Sequence, residues 1–316
     1  MPQAITIRNL TKRFGVTTAV EAVDLDVARG EVFGLVGPNG AGKTTLLQLL
    51  AALLDPSSGS VSVLGRDIVQ DAETLRQRIG YVSQTFTLYG TLSVEENLDF
   101  FADLYRVPPV VREQRKEALL AWSRLSPFRQ RRAFHLSGGM QKKLHLCCTL
   151  IHEPDLLLLD EPTTGVDPVS RRELWEILYD LVGRGLTLVV TTPYMDEAEN
   201  CHRLGLLHQG QLVTVGSPQA LKDRMPAGVM LELECSEPFA ALRHLRQQAS
   251  LARASLFGRH IHMLVEDPGA ASSLIHATLT AAGLAVEHLE PIPFSLEDVF
   301  VALTDSDAPN RRDNCA

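Results

Sequence analysis

The 316 residues are 45% hydrophobic and 22% charged, the proportions of an ordinary globular protein with sequence enough for one large domain and a smaller one. A formal net charge of -8 argues against a bulk binder of nucleic acid or anionic membrane, although a local basic patch would not show in that total. The five cysteines form no CxxC pair and no disulfide-like framework, the N-terminal MPQAITIRNL lacks a signal pattern, and the longest apolar run, Leu46 to Leu54, falls short of the ~18 residues of a membrane span, so a soluble, cytoplasmic chain is expected unless a partner holds it at a membrane.

In chain order, Ile5 and Ile7, then Val23, Leu25 and Val27, then Val61 and Val63 alternate as strands do, with turn signals at Arg29-Gly30 and from Pro56 to Gly59. EVFGLVG (31–37) is a short apolar strand that runs into a glycine-rich loop, and TTLLQLLAALL (44–54) follows as a helix. From Ser93 to about Arg132 the periodicity is helical, and another helix begins near Ser137. LLLLD (156–160) and LTLVVTT (186–192) are continuous apolar strands of the kind buried on both faces of a parallel sheet, with the helix RRELWEILYDLVGRG between them. This alternation predicts an α/β core with a mostly parallel sheet.

The pattern changes after Met225. VMLELEC, PFAALRHLRQQA, ARASLF, HIHMLVE, a helix opened by Asp267-Pro268, and LAVEHLE give the order β-α-β-β-α-β, which is ferredoxin-like. SLEDVFVALT is a last helix before a polar tail that reads as disordered. The expected organisation is therefore a domain over 1–225 with a helical subdomain near 85–135, a C-terminal accessory module over 226–304, and a tail over 305–316.

The chemistry is concentrated in a few stretches. GPNGAGKTT places Gly37, Pro38, Asn39, Gly40, Ala41, Gly42, Lys43, Thr44 and Thr45 in the pattern G-x-x-x-x-G-K-[ST], between a strand and a helix. Backbone N–H groups of such a loop surround phosphate oxygens, Lys43 reaches the β- and γ-phosphates, and the Thr44 hydroxyl ligates magnesium. LLLLDEP delivers Asp160 to the C-terminal end of a buried strand as a second magnesium ligand, with Glu161 beside it to act on the attacking water. In LSGGMQKKL, Ser137 is an N-cap, and Gly138 and Gly139 let an anion approach the start of a helix.

Taken together these stretches resemble the ATPases of the ATP-binding-cassette (ABC) family over roughly residues 3–220, with a P-loop NTPase fold built from a parallel-sheet core, an antiparallel β subdomain and a helical subdomain. The family signature is normally LSGGQ; Met140 replaces the glutamine, as is common in its drug-exporter branch. The resemblance implies that Phe14 in TKRFG stacks on adenine, that Gln84 senses magnesium and the membrane partner, and that Asp167 in TTGVDP communicates across a dimer. It further implies ATP and Mg2+ as ligands, with Ser137, Gly138 and Gly139 acting in trans on the ATP of a second cassette, identical or different. A separate transmembrane permease would dock on the helical segment from Gln84 to about Arg132, holding the chain at the cytoplasmic face of the membrane. DEPTTGVDPVSRRELWEIL and SLEDVFVALT are similar to the ATPase subunits of daunorubicin- or multidrug-type exporters, which implies efflux of a drug-like or other small hydrophobic substrate. The other readings are a non-transport cassette and an ATP-gated scaffold whose hydrolysis has decayed; no nucleic-acid partner is expected.

One position departs from the family. TTPYMDEAE (191–199) carries Pro193 where most cassettes have a histidine that contacts the γ-phosphate, and proline has neither a side-chain donor nor a backbone N–H. Locally the proline suits the joint, with Thr192 expected as N-cap and Pro193 as first helical residue. Elsewhere, His260 and His262 alternate on a strand and read as a solvated face, Cys147 and Cys148 as packed thiols, and RQRR (129–132) as a solvated basic stretch.

Overall fold

The computed structural model describes residues 2–305, which divide at Gln219/Ala220 into two compact units. The first begins with β1 (Gln3–Phe14), β2 (Thr17–Ala28) and β3 (Val32–Val36), then α1 (Lys43–Leu50), β4 (Ser58–Val63), β5 (Arg66–Asp67), α2 (Ala72–Arg76) and β6 (Ile79–Val82). Next come α3 (Val94–Leu104), α4 (Pro109–Trp122) and α5 (Gly138–Leu150). The unit ends with β7 (Leu156–Asp160), α6 (Pro168–Gly183), β8 (Thr187–Thr192), α7 (Met195–Ala198), β9 (Arg203–His208) and β10 (Gln211–Gly216). A short α8 (Pro218–Lys222) spans the division, which falls a few residues before the expected one at 225.

Two sheets organise this unit. One has the order β10-β9-β3-β8-β7-β6 and is parallel except for β10; the other, β2-β1-β4-β5, is antiparallel. The unbroken LLLLD run has its physical reason here. Leu156 and Leu158 pack in one core with α1 and β1, while Leu157 and Leu159 pack in the other with Trp175 and Leu178 of α6. A third core joins Leu98, Leu120, Leu144, Cys147 and Cys148 and makes α3, α4 and α5 a helical subdomain. Burial pushes the Cys147 thiol up to about 12, so both cysteines are inert packing groups as expected. The helix expected over 44–54 stops at Leu50, because Ala52 turns the chain into the left-handed region at φ 53°. No helix among the described residues is long and apolar enough to cross a membrane.

The second unit contains β11 (Val229–Cys235), α9 (Pro238–Leu245), β12 (Ser255–Phe257), β13 (His260–Val265), α10 (Pro268–Ala281), β14 (Val286–Ile292) and α11 (Leu296–Asp305). Its sheet, β12-β13-β11-β14, is antiparallel throughout, the ferredoxin-like arrangement. Leu231, Leu233, Ile261 and Met263 share a core with α9 and α10. The expected strand ARASLF shrinks to Ser255–Phe257, since the chain is still turning after the 3-10 turn Ala249–Leu251, with Ala252 helical and the Ala254 N–H donating to the Leu251 carbonyl. Asp305 ends α11; the rest of the tail expected to be disordered lies outside the described residues.

The solvated face expected at the paired histidines is wrong for His262, which is only 4% exposed. Its Nδ1 is 2.9 Å from Asp298 Oδ1 of α11, its Nε2 is 3.0 Å from Glu232 Oε2, and its ring stacks on Phe257 at 4.3 Å. Burial opposes protonation of this imidazole, but the hydrogen bonds and charges of Asp298 and Glu232 outweigh it and raise the pKa above the ordinary 6.5. Burial likewise disfavours the Asp298 and Glu232 carboxylates, and their bonds to the histidine reverse this and lower both. The histidine contribution to stability is therefore complete below about pH 6.5 and lost as pH rises through the raised folded-state value. The carboxylate contributions are present above their ordinary values and lost as pH falls through the lowered ones. Thermal unfolding of the full chain from about pH 4 to 9 is expected to peak between these limits. His262→Ala should cost about 3 kcal/mol and remove the histidine-linked decline above neutrality.

Candidate active site

The P-loop leaves β3 at a point where only glycine fits. A Cβ on Gly37 would lie 2.1 Å from the Leu207 carbonyl oxygen, and one on Gly42, whose φ is 102°, would lie 2.3 Å from that of Ala19. Gly42 precedes α1 without any side-chain cap, so the first N–H groups of the helix are left to an external acceptor. This cradle suits a phosphate.

Lys43, buried to 4% exposure, donates to the carbonyl oxygens of Gly37 at 2.9 Å and Pro38 at 3.2 Å, and its Nζ lies 3.3 Å from Glu161 Oε1. The Thr44 hydroxyl donates to Asp160 Oδ1 at 3.1 Å, and Thr191 on the neighbouring strand β8 donates to the same oxygen at 2.7 Å. The register of β7 with β8 sets Asp160 opposite Thr191, which explains that bond. Burial, reinforced by the Asp160 charge, pushes the Tyr81 phenol up to about 12. A hydroxyl and a carboxylate so placed fit Mg2+, a hard cation that takes one or two protein oxygens and completes its shell from phosphates and water. Among the described residues no group of three or more His, Cys, Asp or Glu could hold a metal ion.

Glu161 sits at φ 47°, an uncommon conformation held by its own N–H donating to Thr191 Oγ1 at 2.9 Å. Its carboxylate accepts from Gln84 Nε2 at 2.8 Å and from Thr164 Oγ1 at 3.2 Å. Gln84 is braced in turn, because Lys142 Nζ donates to its carbonyl oxygen at 2.6 Å. Lys43, Thr44, Gln84, Asp160 and Glu161 thus form one connected network.

The other singled-out residues stand apart from it. Ser137 caps α5, accepting from the Met140 N–H at 3.4 Å, as expected. Gly138 and Gly139 pack against Gly165 and Ser170 of their own chain; a Cβ on Gly139 would come within 2.8 Å of Ser170 Oγ. Asp167 caps α6 through the N–H groups of Val169 and Ser170, and those bonds hold its carboxyl below the usual range. Phe14 is 49% exposed at the end of β1, with the Lys12 ammonium 5.1 Å from its ring centre. Pro193 is not the first helical residue: α7 starts at Met195 with Tyr194 as N-cap, and Thr192 does not cap it. Instead the Thr192 hydroxyl accepts from the Tyr194 N–H at 3.1 Å, closing a local turn that takes up Pro193. Sequence reasoning missed Thr191, Thr164 and Lys142; the threonine pair at the end of LTLVVTT was the one visible signal for the first.

This fold, with a glycine-rich loop between β3 and α1, is the P-loop fold of the cassette class. A family model described as ABC transporter matches residues 20–164. The chain is 37% identical over 299 residues to Nod factor export ATP-binding protein I of Cupriavidus pinatubonensis, covering 94% of this chain and 90% of that one. It is 40% identical over 305 residues to the probable multidrug ABC transporter ATP-binding protein YbhF of Escherichia coli, covering 95% of this chain but 52% of that relative, so it spans about half of that protein's length. Among solved structures, the ATP binding subunit of an ABC transporter superposes with a TM-score of 0.64 at 29% identity, over 70% of this chain and 92% of that one. A dimeric cassette in a post-hydrolysis state, bound to ADP and Pi, gives 0.62 at 27% identity, over 67% and 98%. The chain belongs to the ABC transporter family. Lys43→Ala is expected to weaken MgATP binding by about 10²-fold in titrations with a fluorescent ATP analogue, since a buried charge-assisted contact to phosphate is lost.

Proposed function

We propose that this chain hydrolyses ATP to drive an export complex, working as a head-to-tail pair of cassettes on a separate membrane permease. The observation that carries this reading is the buried network joining Lys43 and Glu161 at 3.3 Å with Gln84 on the same carboxylate. Phosphate oxygens of a bound ATP compete with Glu161 for Lys43. The freed carboxylate, still oriented by Gln84 and Thr164, then accepts a proton from the attacking water. Thr44 and Asp160 would hold Mg2+, which supplies charge to offset that developing on the phosphates. Ser137, Gly138 and Gly139 act on the ATP of the partner cassette, in keeping with their packing against the 165–170 segment rather than their own P-loop. Phe14 stacks on the adenine, and Asp167 faces the second subunit.

The permease docks on the helical subdomain. Phe134 is 75% exposed, and Tyr89, Phe100 and Leu104 add further exposed apolar surface. This docking places the chain at the cytoplasmic face of a membrane. The names of the relatives, multidrug and Nod factor export, favour export, with a drug-like or other small hydrophobic substrate as the cargo.

Pro193 removes one positioned donor from the γ-phosphate, a loss worth about 10²–10³ in rate at comparable sites. ATP binding is intact in this reading, and turnover by the isolated subunit is slow. Pro193→His should raise kcat by at least about tenfold in a phosphate-release assay; a wild-type rate equal to that of the variant overturns the slow-site reading. Glu161→Gln should accumulate an ATP-bound dimer on size-exclusion chromatography, and a monomer under saturating MgATP argues against the head-to-tail pair.

A further inference from the structure

The turn that carries Pro193 is tied down by one carboxylate. Glu197 of α7 is only 2% exposed, and its Oε2 accepts two hydroxyl bonds, from Thr192 at 2.8 Å and from Thr163 at 2.8 Å. Its Oε1 lies 3.3 Å from Arg171 Nε, on the first turn of α6. Arg171 also stands 3.8 Å from Asp196 and 5.2 Å from the ring centre of Tyr194, so it presses on the same turn from outside. The two threonines belong to different parts of the site. Thr192 closes the turn around Pro193 through the Tyr194 N–H, whereas Thr163 lies in the loop that leaves Glu161 and is adjacent to Thr164, which donates to the Glu161 carboxylate. That loop runs on to Asp167, the cap of α6.

We infer that Glu197 is a positioning residue that makes the Pro193 turn and the loop from Pro162 to Asp167 move as one body, so that a displacement of either is imposed on Glu161. The physical reason is the depth of the carboxylate. Two hydroxyls bond it in a buried pocket beside the Arg171 guanidinium, and separating either hydroxyl leaves a buried polar group without that partner. Because Pro193 offers no donor of its own, the geometry of the turn is set from behind, by Thr192 and Glu197, instead of by a side chain on the phosphate. The inference rests on the reading of Glu161 as the residue that activates water.

The test uses the full chain with Thr163→Val, Thr192→Val and the double variant, which keep side-chain volume and remove the hydroxyls. Thr192→Val is expected to lower kcat about tenfold with KM for ATP changed less than about twofold, and to speed hydrogen–deuterium exchange in 162–167, the other segment. The double variant should be no slower than the slower single one, because both hydroxyls act through one carboxylate. Thr192→Ser, which restores the hydroxyl, should recover most of the rate and the protection. Multiplicative losses in the double variant, or faster exchange confined to 191–198, overturn the inference. If the wild-type chain turns over no ATP, the hydrolysis reading fails by itself, and the exchange measurement still decides whether the two segments are coupled.

Discussion

A lysine ammonium and a glutamate carboxylate face each other at 3.3 Å in a nearly water-free pocket, and the rest of the site is arranged around them. Withdrawing two charges from water costs several kcal/mol each, a cost offset only if the pair is close and the remaining donors and acceptors are satisfied. Lys43 therefore also holds two P-loop carbonyls, and Glu161 takes hydrogen bonds from Gln84 and Thr164. The pair joins the start of α1 to the end of β7, and it can exist only because the sheet order sets β8 between β3 and β7. Thr191 at the end of that middle strand bonds both the Asp160 carboxylate and the Glu161 N–H.

From this centre the strain and the hydrogen bonds spread outward in a traceable order. Glu161 adopts a left-handed backbone conformation that only a well-braced residue keeps, and its braces are themselves held by Lys142 and by the Thr163–Glu197–Thr192 bridge. The Lys43–Glu161 network is thus supported by side chains that lie outside it. The second unit follows a different logic. There a buried imidazole between two carboxylates ties α11 to the sheet, and its strength follows pH.

Much of this was legible from residues in a row. GPNGAGKTT, LLLLDEP and LSGGM carry their patterns in consecutive positions, so spacing alone gave the glycine-rich loop between strand and helix, the buried strand ending in Asp160, and the cap at Ser137. The alternation of apolar runs with helical periods likewise announced the parallel sheet and the ferredoxin-like module. The errors came where a local pattern had two structural solutions. Alternating His260 and His262 fit a solvated strand face, and only the return of Asp298 on α11 shows that His262 is covered. A threonine before a proline fits a helix cap, yet the same hydroxyl closes a turn when the helix starts two residues later than Pro193.

Sequence by itself determined the chemistry this chain can attempt. A glycine loop with an adjacent lysine and hydroxyl, and a buried strand ending in two acids, need no distant contact to be recognised, because backbone geometry and side-chain type act locally. Tertiary structure decided how that chemistry is held. Which oxygen Thr191 bonds, that Lys142 braces Gln84, and that Glu197 joins the Pro193 turn to the loop after Glu161 all follow from strand order and helix packing, which bring together residues far apart in the chain.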